Sequence, residues 1–484
     1  MNFSMIRYIL GWVLKLEGLF LLLPCLTALI YKEQQGFVYL AVAAFCVFIG
    51  QLMSFCKPKS NVFYLKEGCV ATSLSWILMS IFGCLPFVFT GEIPSFTDAL
   101  FETISGFTTT GASILSDVEA VSHCSTLWRC FTHWIGGMGV LVFLLAIIPM
   151  SGGSHINLMK AESPGPSVGK IVPKIKQTAR ILYLIYILLS ILQLVLLLLG
   201  GMPFFEALNT TFATAGTGGF GIKNDSFTSY SPYLQWVTAI FMLLFSFNFN
   251  VFYLLLLRNF KKAFSNEEVR WFLLIVLVAV SIITANIYEV SGNLFKALTD
   301  ATFQVASLIS STGFASANFD LWPEICKTTL IIIMFIGACA GSTGGGLKVS
   351  RFIIMVKSVI RECYSYIHPK SIRKLQLDGK DVEDETVRAV GVYVLTFLLI
   401  YGLSLFCLSF DKHSFTTNFT AVLATFNNIG PGLDAVGPTC NFGFFSDFSK
   451  YVLMFDMLAG RLELFPLLIL FHHGTWNGIF RKRK

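Results

Sequence analysis

The stretch DALFETISGFTTTGAS (residues 98–113) returns three more times along the chain in altered form. It reads EALNTTFATAGTGGFG at 206–221, DATFQVASLISSTGFAS at 300–316 and NFTAVLATFNNIGPGL at 418–433. In register, Ala99, Ala207, Ala301 and Asn418 each stand twelve residues before a glycine: Gly111, Gly219, Gly313 and Gly430. Internal repetition of this kind decides architecture before any local reading does. Each copy lies between apolar spans, is too short to cross a membrane itself, and is too rich in Thr, Ser, Asn and Gly to face lipid. Irregular backbone survives at membrane depth only inside protein or along a watery cavity. Each copy is therefore expected to descend as a short helix, turn at its glycine and return as an extended strand, with all four running in the same sense.

Composition supplies the solvent. Of 484 residues, 55% are hydrophobic and 13% charged, and the mean hydropathy is +0.71, values outside the range of soluble domains. A helix of roughly 20 apolar residues spans a bilayer, and residues 181–199, 271–287, 329–336 with their extension, and 390–408 qualify. The first apolar segment, 6–30, is too long for a signal core and lacks a small-residue cleavage site, so it reads as a retained helix. The predicted fold class is an all-α integral membrane protein. Four pseudo-symmetric membrane-pore-membrane repeats surround one pore, and two extra N-terminal helices stand outside them. The expected boundaries are residues 1–66 for those two helices, 67–159 for repeat 1, 160–265 for repeat 2, 266–384 for repeat 3 and 385–484 for repeat 4. Linkers near 150–178, 258–268 and 362–388 read as connecting segments, not as separate domains.

The net charge of +7 reads mainly as a topology signal. With a cytoplasmic amino terminus and alternating spans, most basic groups fall on the cytoplasmic side: Lys57, Lys59, Lys170, Lys174, Lys176, Arg180, Arg258, Lys261, Lys262, Lys370, Arg373, Lys374 and 481–484. Both termini are then cytoplasmic. No basic module interleaved with aromatics points to nucleic acid. The twelve cysteines form no CxxC pair, and Cys25, Cys46 and Cys407 sit in apolar spans as small core residues. Cys124, Cys130 and Cys440 are expected on the oxidising side, which leaves one disulfide open.

The four turns read TTTGA (108–112), GTGGF (216–220), SSTGF (310–314) and NNIGP (427–431). An ion crossing a bilayer must exchange its water shell for other oxygens, and rings of backbone carbonyls supply them. Glycine permits the φ values that let successive carbonyls point inward. Short helices ending at the turns would aim carboxyl ends worth about half a negative charge toward the axis. Glycines that only permit close helix packing are the alternative, but packing explains neither the common spacing nor the polar residues beside each glycine.

These hairpins and four further motifs resemble the TrkH/TrkG/KtrB superfamily of potassium transporters, closest to its TrkH branch, across essentially the whole chain. The motifs are TTTGAS at 108–113, HWIGGMGVL at 133–141, GSTGGGLKVSR at 341–351 and AGRLELFPLLILF at 459–471. The resemblance implies potassium uptake across a bacterial inner membrane, with no cofactor and potassium itself as the transported ligand. It implies a selectivity filter holding potassium at Thr109, Thr110 and Gly111, at Thr217, Gly218 and Gly219, at Ser311, Thr312 and Gly313, and at Asn428, Ile429 and Gly430. It further implies a homodimer and a cytosolic nucleotide-binding partner of the TrkA type. In such relatives a serine at the first filter glycine accompanies sodium preference, and Gly111 matches the potassium form. The fourth turn, NNIGPGLD, departs from the threonine pattern of the first.

Two oddities lie below these turns. Glycines 341, 344, 345 and 346 interrupt an apolar run, each interior glycine costing roughly 1 kcal/mol relative to alanine in a helix. A P-loop needs Lys directly after its last glycine, whereas Leu347 precedes Lys348. The resemblance makes Gly341, Ser342, Thr343, Gly344, Gly345 and Gly346 a gate. Arg461 stands 31 residues beyond Gly430, as Gly344 stands beyond Gly313. A charge at mid-bilayer costs about 2.5 to 3.5 kcal/mol on insertion scales, so Arg461 should face a cavity or a partner. One reading has it meet the glycine segment and restrict the pore; the other pairs it with a nearby acid, Asp456 or Glu463. Asn248, Asn250, His472 and His473 carry no assigned ion-binding role. A cation-coupled potassium symporter would use the same filter. An intramembrane enzyme would need a catalytic constellation, and no HExxH or Gly-x-Ser-x-Gly motif occurs.

Overall fold

The computed structural model describes residues 1–58, 64–139, 175–371 and 373–480. Lys59, Lys170, Lys174, the linker at 150–174, the last two residues of HWIGGMGVL and the basic residues 481–484 lie outside the described residues. Six helices among the described residues are long and apolar enough to cross a membrane: Phe3–Tyr31, Gly36–Ser54, Leu65–Thr90, Ala179–Leu199, Glu267–Glu289 and Asp384–Asp411. Pro232–Phe245 and Phe249–Leu256 form a further apolar pair bent by 94°. The chain is thus a predominantly α-helical integral membrane protein, and large apolar side chains such as Leu29, Phe37 and Leu277 lie exposed on its long helices.

The first apolar segment is two helices, Phe3–Phe20 and Leu22–Tyr31, joined at Leu21. It packs against Gly36–Ser54 through glycines. A methyl at Gly11 would lie 2.8 Å from the Gly50 carbonyl oxygen, and one at Gly18 2.8 Å from that of Ala43. Small residues are what let membrane helices approach so closely.

Each of the four sequence copies contains a short helix: Phe96–Phe107, Phe204–Ala215, Leu294–Ile309 and Phe415–Phe426. Ser95, Asn293 and Ser414 cap three of them with side-chain oxygens, satisfying amides that have no partner inside a helix. The helices after the turns begin in the same way, with Ser122, Ser231 and Ser446 capping His123–Met138, Pro232–Phe245 and Asp447–Arg461. The third uses Pro323 ahead of Glu324–Ile336.

Two linkers carry more structure than the sequence suggested. Residues 258–268 include a one-turn helix, Phe260–Phe264. Residues 362–388 contain the end of Val349–Ile367, the start of Asp384–Leu408, and a small antiparallel hairpin pairing Gln376 with Asp381 and Leu377 with Lys380. The hairpin qualifies the all-helical expectation. Its turn is Asp378-Gly379, both at positive φ, the pairing preferred in two-residue hairpin loops. Cys124 and Cys130 are buried, Cys440 is exposed, and all three are free thiols; the disulfide left open by the sequence is not formed.

Candidate functional site

The four short helices end in one backbone conformation. The residue two before each glycine is left-handed, with φ of 56° at Thr109, 55° at Thr217, 60° at Ser311 and 54° at Asn428. The glycines follow at 78° (Gly111), 77° (Gly219), 89° (Gly313) and 98° (Gly430). Between them, the amides of Thr110, Gly218, Thr312 and Ile429 donate to the carbonyls of Ser105, Ala213, Ser307 and Ala424 at 2.8–2.9 Å. Four sequences with little identity thus share one turn, because the helix end must satisfy its carbonyls before the chain reverses.

The turns also meet one another in order. A methyl at Gly111 would lie 1.9 Å from the Gly218 carbonyl oxygen, and one at Gly219 1.9 Å from that of Thr312. One at Gly313 would lie 2.1 Å from the Ile429 oxygen, and one at Gly430 2.8 Å from that of Thr110. First faces second, second third, third fourth, and fourth first. All four glycines line a single cavity of about 220 Å³, and Thr109, Thr217, Ser311 and Asn428 are fully buried behind it. Asn428, the departure in the fourth turn, closes the circle: its Nδ2 donates to Thr110 Oγ1 at 3.0 Å and to the Met457 carbonyl at 2.9 Å.

Supports that the sequence reading left unassigned surround the first turn. Glu102 accepts from the Ile114 amide at 3.0 Å and Ser113 Oγ at 3.0 Å and pairs with Arg129 at 2.7 Å, both members of the pair being buried. It therefore ties the short helix to its return strand and to the next helix. His133 bridges two turns. Its Nε2 accepts from the Phe220 amide at 3.3 Å, so Nδ1 carries the proton and donates to the Gly106 carbonyl at 2.8 Å. The glycines of HWIGGMG then have a steric reason: a methyl at Gly136 would lie 1.9 Å from the Phe107 carbonyl oxygen. A histidine three and four residues before two glycines was visible in the sequence, but its partners come from other segments. At the rim beyond the fourth turn, hydrogen bonds from Ser414 and Thr417 hold the Asp434 carboxyl below the usual carboxylate range.

Beneath the turns, residues between Ile336 and Val349 leave the helix. The Gly345 amide donates to Ser311 Oγ at 2.5 Å, and a methyl there would lie 2.2 Å from the Asn427 carbonyl oxygen. Gly344 is equally confined, 2.7 Å separating such a methyl from the Ser310 oxygen. The segment also rests on the break in the bent helix pair, where the Thr343 hydroxyl donates to the Phe245 carbonyl at 3.1 Å and the Phe249 amide to that of Gly341 at 3.1 Å. The Lys348 ammonium turns back onto the Gly344 carbonyl.

Arg461 reaches the same place. Its guanidinium donates to the Thr343 carbonyl at 2.8 Å and to those of Gly136 and Gly137 at 2.5 and 2.7 Å. The two acids considered for it have other partners: Glu463 pairs with Arg351, and Asp456 accepts from Ser404 at 2.7 Å. His472 and His473 are exposed, while Asn248 caps Phe249–Leu256 and stands against Gly341.

A largely helical membrane protein with four like turns closed around one small cavity, underlain by a glycine segment and a half-buried arginine, is a fold that brings backbone oxygens together. Residues 35–476 match the family model described as TrkH, cation transport protein, and the chain belongs to that family. It is 34% identical to Trk system potassium uptake protein TrkH of Salmonella typhimurium, over 99% of this chain and all of that protein. It is 32% identical to TrkG of Escherichia coli over the same shares. The crystal structure of the potassium transporter TrkH from Vibrio parahaemolyticus superposes with a TM-score of 0.88 at 30% identity, covering 98% of this chain and all of that one. The names these relatives carry are those of transporters, not enzymes.

Proposed function

We propose that this protein carries potassium into a bacterial cell across the inner membrane, through a filter made by Thr109–Gly111, Thr217–Gly219, Ser311–Gly313 and Asn428–Gly430. The observation that carries the reading is the cyclic order in which each turn's glycine abuts the carbonyl of the next. A potassium ion between such turns would exchange water for carbonyl oxygens, and the helix carboxyl ends would favour its charge. The relatives' printed function, potassium uptake, supports potassium as the ion. In this reading residues 67–159, 160–265, 266–384 and 385–484 are the four pore repeats, 1–66 stand outside them, and both termini are cytoplasmic. Gly341–Gly346 and Arg461 form a gate whose contact at Thr343 bars the path. A cytosolic TrkA-type subunit controls it, and two copies of the chain assemble.

Potassium and rubidium flux into liposomes holding the purified protein, with sodium and proton gradients varied independently, tests this. Flux that follows the potassium gradient alone is expected. Dependence on a second gradient would replace the channel by a symporter, and no flux with a TrkA-type partner present would overturn the pore.

A further inference from the structure

The glycine segment is held from the side by a residue that no motif marks. Glu268 lies in the first turn of Glu267–Ser291, a helix of the third repeat that borders the segment but contributes nothing to it. The residue is 5% exposed. A single oxygen, Oε1, accepts from the Ala340 amide at 2.7 Å and from the Ser350 amide at 3.1 Å. The first amide lies inside the non-helical stretch, just before Gly341, and the second in the opening turn of Val349–Ile367, the helix that follows it. The stretch closes partly on itself, since the Val349 amide donates to the Ala338 carbonyl at 3.1 Å. Glu268 does something that bond does not: it fastens the stretch and the helix after it to a neighbouring helix.

That helix start is itself fixed. Asn266 caps it through the Val269 amide at 3.0 Å. The cytosolic hairpin grips it where the Glu267 amide donates to Asp378 Oδ1 at 2.6 Å, and Lys357 pairs with Glu267 at 2.5 Å. A carboxylate held on a rigid support and accepting two backbone amides is a strong anchor, because charge-assisted hydrogen bonds are about twice as strong as neutral ones.

We propose that Glu268 is the positioning residue that latches the glycine segment across the ion path, clamping the Ala340 and Ser350 amides so that Thr343 stays against Arg461. The proposal rests on the reading of Gly341–Gly346 as a gate. Releasing the latch lets the segment leave the pore; the four turns then lose the Gly345–Ser311 contact but keep their own backbone hydrogen bonds, so leak rises while ion preference stays as it was.

Two variants release it differently. Glu268→Ala removes the acceptor. Ser350→Pro removes one donor at the start of Val349–Ile367, where a helix tolerates proline. Glu268→Gln keeps an acceptor oxygen. Amide hydrogen exchange across residues 338–350 and potassium flux, both on the full chain in liposomes without a partner, are the readouts. Glu268→Ala and Ser350→Pro are expected to speed exchange there by roughly tenfold or more, the loss of a hydrogen bond to a charged group, and to raise flux with an unchanged rubidium-to-sodium ratio. Glu268→Gln is expected to stay nearer the parent in both. Should Glu268→Ala fail to fold, Ser350→Pro, which keeps the carboxylate, carries the test. Exchange unchanged in the folded releasing variants overturns the latch, and so does faster exchange without added flux in a protein whose parent conducts. Faster exchange in a protein whose parent carries no potassium at all upholds the latch and overturns the pore reading.

Discussion

Gly219 shows how narrow the tolerance is at single residues. Its φ of 77° is one that side chains rarely adopt, and a methyl would stand 1.9 Å from the Thr312 carbonyl oxygen. Gly219→Ala should therefore lower rubidium uptake by roughly tenfold or more, the factor that about 1.4 kcal/mol of distortion produces. Uptake at the parental level in a variant that purifies normally would mean that the turns are not closed as described. Arg461 is confined in a different way, by donating to carbonyls of two separate segments. Arg461→Ala removes the donors that hold Thr343 and should raise potassium flux several-fold in liposomes, each hydrogen bond to a charged group being worth about 1.5 to 3 kcal/mol. Flux that stays put in the folded variant would return Arg461 to a purely structural role. The need for glycine at 219 was legible from its recurrence in four copies. The meeting of Arg461 with the glycine segment, at Thr343, was one of the two readings the sequence offered; its other partners were not legible, since Gly136 and Gly137 lie more than three hundred residues earlier in the chain.

At the scale of elements, the short helices, the caps at Ser95, Asn293 and Ser414 and the turns after them follow from local chemistry, and the number of copies was readable from spacing alone. What joins one turn to the next is less regular. Asn428 reaches across from the fourth turn to Thr110 in the first, whereas Thr110 in the first turn and Thr312 in the third bond to hydroxyls of their own turns, Thr108 at 2.8 Å and Ser310 at 2.6 Å. The asparagine that breaks the threonine pattern is thus a tie between elements. Asn428→Ala should widen the circle there and lower the ratio of rubidium to sodium uptake by roughly two- to tenfold, as one hydrogen bond of about 0.5 to 1.5 kcal/mol allows. A ratio unchanged at equal expression would show that the tie has no part in ion preference. The hairpin in the stretch between Val349–Ile367 and Asp384–Leu408 was missed for a physical reason. Two-residue strands bury almost nothing and leave no periodic pattern, and only the Asp378-Gly379 turn could have announced them.

Across the whole molecule, the proposed orientation has a direct test in its free thiols. Cys56, Cys363 and Cys440 are exposed; the first two belong to the proposed cytoplasmic face, and Cys440 lines the cavity beside the four glycines. A membrane-impermeant maleimide applied to intact spheroplasts should label Cys440 alone, and inside-out vesicles should expose Cys56 and Cys363 instead. Reversal of that pattern would invert the topology and the direction of uptake. The membrane class, the spans at 181–199, 271–287 and 390–408 and the four glycine-centred copies were determined by sequence alone, because apolar length and repeat spacing act locally and need no partner to be read; the span expected at 329–336 is instead part of a 13-residue helix, Glu324–Ile336, too short to cross. Only the tertiary structure decided that the four turns close in cyclic order, that His133 and Glu102 brace the first of them, and that Glu268 and Arg461 grip the glycine segment from either side. Those contacts join groups far apart in the chain, and a hydrogen bond between distant backbone and side-chain atoms leaves no trace in the order of residues.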